Sequence, residues 1–242
     1  MERVVVAERL RVAVLVSGSG SNLQALLDRF NGGSDRSAEV VRVIASKPGI
    51  LALDRAEAAG VPAVVLGRPG EGPGEGAPSL LDELLDSEAE LVVLAGYMKL
   101  VPDDAVRAYA GRMINIHPAL LPSFGGAGMY GQRVHAAVLR SGARVSGVTV
   151  HFVDEEYDRG PIIAQWPVPV FEDDTPEVLA ARVLSVEHQQ LPEIVSALAR
   201  GDVFLDPEGG VRWIRPLFPS ERFSAAEAGA VGEAIRHPHH MD

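Results

Sequence analysis

The stretch RMINIHPALLP, residues 112–122, places two polar side chains within an apolar segment. Met113–His117 has the apolar, partly β-branched composition of a buried strand, and Pro118 should end it. Because side chains alternate along a strand, Asn115 and His117 are expected on one face. Open α/β sheets form their sites where parallel strands end. The stretch therefore predicts both a core strand and a functional site at its end.

Similar apolar runs precede this strand, at residues 11–17, 40–46, 62–66 and 91–97. Helix-like segments separate the runs, at residues 21–30, 51–59, 79–85 and 102–109. Strand–helix alternation with continuous hydrophobicity predicts an α/β fold with a mostly parallel, doubly wound, Rossmann-like sheet. The sequences SNLQ and SLLD have capping-box spacing, so Ser21 and Ser79 are expected to cap their helices.

The pattern changes after this strand. Residues 145–154 and 161–170 are expected to be strands joined by an acidic turn, forming an antiparallel or mixed C-terminal part of the same sheet. A long helix should follow, with Thr175 as its N-cap and Pro176 at its first position. Pro192 is expected to kink or split that helix, and Gly201 to end it.

One domain is expected over residues 1–215, because the α/β pattern resumes directly after the Gly/Pro-rich segment 67–78. That segment should be a mobile surface loop, and residues 216–242 a peripheral tail.

The composition excludes several classes of function. The 242 residues include no cysteine, so disulfide and thiolate chemistry are excluded. A formal net charge of −11 argues against a nucleic-acid partner but not against a small anionic ligand held by backbone N–H groups. The apolar runs near the N-terminus are too short to span a membrane, and a cytoplasmic protein is expected.

The first strand leads into the turn LVSGSGSNLQALL, residues 15–27. A glycine-rich turn before a helix is suited to a phosphate group. A dinucleotide fingerprint would need glycine where Leu23 stands, and no Walker sequence is present, so a monophosphate is favoured. A tight turn with glycine for packing is the equally weighted alternative.

The acidic turn DEEYDRGP, residues 154–161, supplies the carboxylate that Asn115 and His117 lack. Asp158 is best placed to orient and charge the imidazole, and its attraction should raise the pKa of His117. An amide beside a charged histidine suits a developing oxyanion. The plain alternatives are a satisfied buried histidine and a solvated acidic loop. No G-x-S-x-G or H-E-x-x-H sequence occurs.

Three stretches together resemble a known family: SGSGSN, NIHPALLPSF and VHFVDEEYDRGPIIAQ. They are similar, over residues 11–205, to the phosphoribosylglycinamide formyltransferases, folate-dependent enzymes of purine synthesis within the formyltransferase superfamily. The resemblance implies the Rossmann-like formyltransferase fold. It also implies transfer of a formyl group from 10-formyltetrahydrofolate, as co-substrate, to the amine of glycinamide ribonucleotide. No metal is implied, and the partners would be small-molecule substrates of a monomer or homodimer.

The resemblance also assigns site residues. It makes Asn115, His117 and Asp158 the catalytic trio. It assigns the ribonucleotide phosphate and glycinamide to Ser19, Gly20, Ser21, Asn22 and Glu187. It assigns the folate to Tyr97, Met98, Lys99, Leu100, Val101, Asp154 and Asp158.

The chain departs from its relatives at two places. The segment GGAGMYGQRVH is longer than the family turn, and His135 is matched only weakly to a family histidine. Loop 67–78 lacks a clear arginine-bearing helix start, which leaves Arg68 as a weak folate candidate.

Three alternatives stay open. A methionyl-tRNA formyltransferase would need a further tRNA-binding domain and a basic surface. A formyltetrahydrofolate hydrolase would carry a regulatory domain ahead of the core, whereas about ten residues precede the first strand here. A non-catalytic nucleotide-binding module is disfavoured by the intact trio.

Overall fold

The computed structural model describes residues 9–66 and 79–215. The predictions for loop 67–78, for Arg68 and for the tail at 216–242 lie outside the described residues. The strands of the main sheet are β1 (Leu10–Val16), β2 (Ala38–Ala45), β3 (Ala63–Val65), β4 (Leu91–Leu94), β5 (Met113–His117), β6 (Val145–Phe152) and β7 (Ile162–Pro169). The α-helices are α1 (Ser21–Leu26), α2 (Leu51–Ala58), α3 (Leu80–Asp86), α4 (Asp103–Ala108), α5 (Gln132–Ser141) and α6 (Pro176–Ala199), and a π-helical segment, Leu27–Asn31, continues α1.

The sheet has the strand order β3-β2-β1-β4-β5-β6-β7. Strands β1 to β5 are parallel, whereas β6 and β7 pair antiparallel at one side. The predicted α/β fold, with its antiparallel C-terminal part in the same sheet, is therefore confirmed. The chain reverses its direction of winding between β1 and β4, which is where open α/β sheets leave a crevice for ligands.

Both faces of the sheet are buried, as continuous hydrophobicity predicts. In β1, Val12 and Val14 belong to a large core under α1, α2, α5 and α6, and Ala13 and Leu15 belong to a smaller core under α3 and α4. All four residues have no exposed surface. Alternate side chains of β1 therefore pack on opposite faces of the sheet, each face covered by its own helices.

The two helix starts for which a serine cap was predicted differ in the structure. Ser79 caps α3 in a full capping box with Asp82, as predicted. The same prediction for Ser21 is wrong: Gly20 occupies the cap position with φ of 72°, and its helix start has no side-chain hydrogen bond. Gly20 lies so close to α2 that an added Cβ would be 2.7 Å from the Ala52 Cβ, and glycine adopts the left-handed φ at little cost, so packing of the turn and not a capping side chain sets this helix start.

The long helix begins as predicted, since the Thr175 side chain accepts from the Val178 N–H and Pro176 takes the first turn. It is not split at Pro192, which is buried within a continuous α6. Tertiary packing of the apolar face retains the helix there. The helix ends before Gly201, whose φ of 69° is typical of a C-terminal glycine.

Two features were not predicted. Helix α5 begins directly after the glycine-rich segment 124–131, and its helical spacing was not recognised beside those turn residues. A small antiparallel hairpin, β8 (Val203–Leu205) with β9 (Val211–Trp213), follows α6. Its strands are three residues long, too short for a periodicity signal. The Trp213 indole N–H donates to the Ile163 carbonyl at 3.2 Å and joins the hairpin to the main sheet.

Candidate functional site

A cavity of about 660 Å³ opens at the carboxyl ends of β1, β4 and β5. Its walls come from the turn after β1, the segment after β4, the end of β5, the glycine-rich segment 124–131 and one face of α6. The cavity thus lies at the reversal of strand order, and it includes the carboxyl end of β5, where the sequence predicts a site. Asn115, His117 and Asp158 all line it.

Asn115 is fixed from the strand opposite. In the β5–β6 register it pairs with His151, and its side-chain Nδ2 lies 3.1 Å from His151 Nε2. The same Nδ2 lies 3.4 Å from Asp158 Oδ1. Since an amide nitrogen carries two hydrogens, both donor positions of Asn115 are directed at protein groups.

Asp158 is held by its backbone as well as by its partners. It adopts a left-handed conformation with φ of 55°, which costs a non-glycine residue about 1–3 kcal/mol. Its Oδ2 accepts from the Gly126 N–H at 2.8 Å. Burial raises the pKa of Asp158, but interactions with His151, the charge of His117 and the Gly126 N–H outweigh it, so the pKa is lowered overall. The carboxylate is therefore kept ionised.

His117 is almost fully buried, with 3% of its surface exposed. Its Nε2 lies 2.9 Å from the Phe124 carbonyl oxygen, so that nitrogen carries a proton, and its Nδ1 lies 3.6 Å from Asp158 Oδ1. Phe124 reaches this position with φ of 57°. The segment 124–131 and the acidic turn therefore meet at the imidazole.

The prediction that the pKa of His117 is raised is wrong, because the pKa is lowered. Burial lowers the pKa and is the largest influence, while Asp158 and the Phe124 carbonyl act in the opposite sense. The sequence identified the carboxylate partner but not the depth of burial, because desolvation depends on the packing of the whole cavity.

His151 was missed. It is buried beside both Asn115 and Asp158, with its Nε2 3.7 Å from Asp158 Oδ1. Its Nδ1 donates to the Phe152 carbonyl at 2.7 Å, and its Nε2 faces both the Asn115 amide and Asp158 Oδ1. The signal available in the sequence was a polar residue at alternate spacing in β6, next to the acidic turn.

The turn after β1 contributes Ser19, Ser21 and Asn22 to the cavity lining, whereas Gly20 does not line it. Gly20 instead packs against α2, where an added Cβ would lie 2.7 Å from the Ala52 Cβ. The packing explanation for this glycine, weighed above as an alternative, is thus supported, and it is compatible with a ligand on the other side of the turn.

Asn22 joins this turn to α6. Its Nδ2 donates to Glu187 Oε2 at 2.7 Å, and both residues line the cavity. Burial raises the pKa of Glu187, while the bond from Asn22 opposes that rise. Among the described residues, the buried Asn22 Oδ1 has no hydrogen-bond partner.

The residues assigned to folate by resemblance are only partly brought together. Tyr97 and Met98 line the cavity, and the Met98 N–H donates to the Ser17 hydroxyl at 2.9 Å, which fixes this segment to β1. Four others do not line it: Lys99, Leu100, Val101 and Asp154. Val101 is in the smaller core, and Asp154 accepts from the Glu156 N–H within the acidic turn.

His135 lies in the first turns of α5 and lines the cavity with 4% of its surface exposed. Its Nδ1 has no hydrogen-bond partner in the described part of the chain. Burial lowers the pKa of His135, and the charge of His117 adds to this. The weak match in sequence therefore corresponds to a cavity residue.

Within residues 9–66 and 79–215, no group of three or more acidic, histidine or cysteine side chains is arranged to hold a metal ion. In the same ranges, no helix combines the length and apolarity needed to cross a membrane.

Comparison with known proteins gives consistent matches. A family profile described as Formyl transferase matches residues 10–195. The chloroplastic phosphoribosylglycinamide formyltransferase of Arabidopsis thaliana is 46% identical over 192 residues, covering 78% of this chain and 65% of its own length. This chain thus spans slightly less than two thirds of that relative.

Solved structures extend the match. Glycinamide ribonucleotide transformylase 1 from Symbiobacterium toebii is 39% identical with a TM-score of 0.76, covering 86% of this chain and 95% of that one. Formyltetrahydrofolate deformylase from Burkholderia mallei is 29% identical with a TM-score of 0.72, covering 86% of this chain and 70% of that one. With the family profile matching more than half of its length, this chain belongs to the formyl transferase family.

Proposed function

We propose that this protein transfers a formyl group from 10-formyltetrahydrofolate to the amine of glycinamide ribonucleotide, a step of purine synthesis. The observation that carries the proposal is the convergence of Asn115, His117 and Asp158 at one cavity. Membership of the formyl transferase family and the relatives named above support the same reaction.

In the proposed reaction, the substrate amine attacks the formyl carbon and a C–N bond forms. The carbonyl oxygen becomes a tetrahedral oxyanion. The bond from the formyl carbon to the folate nitrogen then breaks, the amine loses a proton and the folate nitrogen gains one. The protein must therefore stabilise one developing negative charge and move one proton.

Asn115 is the proposed donor to the oxyanion. Of its two amide contacts, the 3.4 Å contact to Asp158 is longer than the 3.1 Å contact to His151. The hydrogen directed at Asp158 is therefore the one that can turn to a substrate oxygen, while His151 keeps the amide in place. We accordingly assign His151 a positioning role.

His117 is proposed to take part through its charge. Burial keeps it neutral more readily than an exposed histidine, but its Nδ1 faces a carboxylate that would stabilise an imidazolium. An oxyanion forming in the cavity would add to that attraction and favour the charged form at the moment it is needed. Asp158 and His117 would titrate as a coupled pair.

For the substrates, we propose that Ser19, Ser21 and Asn22 face the phosphate and that Glu187 contacts the glycinamide end. Tyr97 and Met98 are the proposed folate wall, because they combine an apolar surface with fixed backbone. The small-molecule substrates, a cytoplasmic location, the lack of a nucleic-acid or membrane partner and a monomeric or homodimeric state are parts of the same proposal.

The test supplies 10-formyltetrahydrofolate with glycinamide ribonucleotide, with water alone or with methionyl-tRNA, and identifies the formylated product by mass spectrometry. Formylated ribonucleotide is expected in the first mixture. Asn115→Ala should lower its formation by about 100-fold or more, while Gln189→Ala, which removes an exposed amide outside the cavity, should not.

Each competing function has its own outcome. Equal release of tetrahydrofolate without the ribonucleotide would identify a hydrolase, the activity named for the Burkholderia structure. Formylated methionyl-tRNA would identify the tRNA branch. Absence of any formyl transfer, with nucleotide still bound, would leave a binding module and overturn the proposal.

A further inference from the structure

Arg55 lies on α2, beside the turn after β1, and has no part in the function proposed so far. Its Nε donates to the Ser19 carbonyl at 2.9 Å, and its Nη1 donates to Gln24 Oε1 at 2.8 Å. Both acceptors are neutral. Within the described part of the chain no carboxylate oxygen lies within 4.0 Å of this guanidinium, so its positive charge is not compensated by a close partner.

The contacts of α2 determine which way the turn faces. The Ala52 N–H donates to the Gly18 carbonyl at 3.3 Å, and Arg55 holds the next carbonyl, that of Ser19. In a trans peptide the N–H points opposite to the carbonyl of the same unit. The N–H groups of Ser19 and Gly20 therefore point away from α2.

These N–H groups are free to bind a ligand. In residues 9–66 and 79–215, no acceptor is found for the amide N–H groups of residues 19–22. Yet the segment SGSGSNLQ, residues 17–24, contains no charged side chain. A phosphate dianion bound to this turn would meet backbone dipoles there, and the positive charge would have to come from a neighbouring element.

Arg55 is a neighbouring cation without a carboxylate partner among the described residues. It bonds the α2 side of the turn, opposite to these N–H groups, so it would act on a bound phosphate through its field and by polarising the Ser19–Gly20 peptide, not by contact. Arg29, the other arginine in this region, is paired with Asp35 at 2.9 Å and with Glu193 at 3.2 Å. Arg55 also acts across the turn to α6: burial lowers the pKa of His188, and the charge of Arg55 lowers it further. Its field therefore extends beyond the two groups that it bonds.

We propose that Arg55 is a positioning and specificity-determining residue, which shapes the turn through the Ser19 carbonyl and supplies positive charge for the phosphate of the acceptor substrate. The inference rests on the proposed function, because it concerns how the ribonucleotide is recognised. It makes Arg55 selective for phosphorylated over unphosphorylated acceptors without contact to the reacting atoms.

The test compares Arg55→Gln, Arg55→Lys and the matched control Arg36→Gln. Arg36 is exposed before β2, at the amino end of the sheet, and its replacement changes the net charge equally. In Arg55→Gln, the KM for the ribonucleotide should rise about three- to tenfold, while the folate KM and kcat at saturation change less than about twofold. Arg55→Lys should recover part of the loss, and the control should resemble the parent.

Two further readouts separate charge from shape. Raising the ionic strength should increase the parent's ribonucleotide KM, and this dependence should be weaker in Arg55→Gln. Binding of ribose 5-phosphate, measured by calorimetry, should weaken in Arg55→Gln, while binding of ribose should be unchanged in every variant.

Several results would overturn the inference. A folded Arg55→Gln protein with the parent's ribonucleotide KM and ribose 5-phosphate affinity would do so, as would an equal loss with an unphosphorylated acceptor. Failure of the parent to transfer formyl groups would instead overturn the proposed function, and the ribose 5-phosphate measurement would still decide the role of Arg55.

Discussion

Residues 17–22 and residues 124–131 are both glycine-rich and both border the cavity, but different interactions fix their backbones. The first segment is packed against α2, so that a Cβ on Gly20 would lie 2.7 Å from the Ala52 Cβ. In the second segment, Gly126, Gly128 and Gly131 have positive φ, and a Cβ added to any of them would meet no atom within 4 Å; a Cβ on Gly125, by contrast, would overlap the Leu121 side chain and lie 3.1 Å from the Asp158 Cβ.

The difference lies in what glycine supplies. In the first segment it allows close approach of a helix, which stabilises one backbone shape from outside. In the second it allows left-handed conformations at three open positions and, at Gly125, close approach of the Asp158 side chain, whose carboxylate also accepts from the Gly126 N–H and anchors the segment. The second segment thus shares its anchor with the proposed catalytic trio, and the first does not.

The largest expected effect follows from that shared anchor. Asp158→Asn removes the negative charge that the Gly126 N–H, Asn115 and His117 all face. Turnover should fall by about 100-fold or more, because both the imidazolium and the donor geometry lose their support. Steady-state kinetics with the ribonucleotide as acceptor measure the effect. Glu156→Gln is the control, since Glu156 is exposed in the same turn and does not line the cavity; equal turnover of the two variants would contradict the assignment.

Local sequence patterns predicted the sheet and the relative positions of the proposed catalytic residues correctly. The strand pattern gave the parallel sheet and the antiparallel pair, because burial of continuous apolar runs dominates their position. Alternation along β5 correctly placed Asn115 and His117 on one face, and the acidic turn correctly indicated Asp158 as their neighbour. Local patterns were sufficient to predict these features because burial of apolar side chains dominates the position of each strand.

The failures occur where several distant segments meet. His151 was missed because its polar position in β6 does not by itself reveal the contact with Asn115, which depends on the β5–β6 register. Ser21 was predicted as a cap because its sequence fits, but α2 holds Gly20 in that position instead. The pKa of His117 was misjudged because charge attraction is readable from an acidic turn, whereas desolvation is not.

A second prediction tests the packed segment. Gly20→Ala should lower the free energy of unfolding by roughly 2–4 kcal/mol, from overpacking against Ala52 together with the positive φ of 72°. Gly18→Ala is the matched control, because no atom lies within 4 Å of its added Cβ. It should be neutral or stabilising by up to about 1 kcal/mol. Chemical denaturation measures both, and equal stability of the two variants would show that α2 does not constrain the turn.

A third prediction tests the open segment. Gly128→Ala should cost about 1–2 kcal/mol, since a side chain at φ of 85° is strained although nothing obstructs it. Ala127→Ser, at the exposed neighbouring position, should change stability by less than about 0.5 kcal/mol. The same denaturation measurement applies. A loss larger than that of Gly20→Ala would reverse the comparison between the two segments.

The smallest expected effect concerns the imidazole itself. Burial lowers the pKa of His117 and Asp158 opposes that change, so the value should lie below the usual 6.5 in the parent and lower still in Asp158→Asn. NMR titration of the ring measures both, and His135, whose pKa burial also lowers, should move much less because Asp158 is not among the groups that shift it.

The direction of the His117 shift also sets its effect on stability. A histidine whose pKa is depressed in the folded state contributes its full stabilisation at pH values above its pKa in the unfolded chain, about 6.5. This stabilisation is lost as the pH falls toward the folded-state pKa, because the unfolded chain takes up the proton first. In Asp158→Asn the folded-state pKa of His117 should be lower still, so the pH range over which this stability is lost should extend further toward acidic pH. A parent value above 6.5 would mean that the carboxylate outweighs burial, and that the resting imidazole is already charged before any substrate binds.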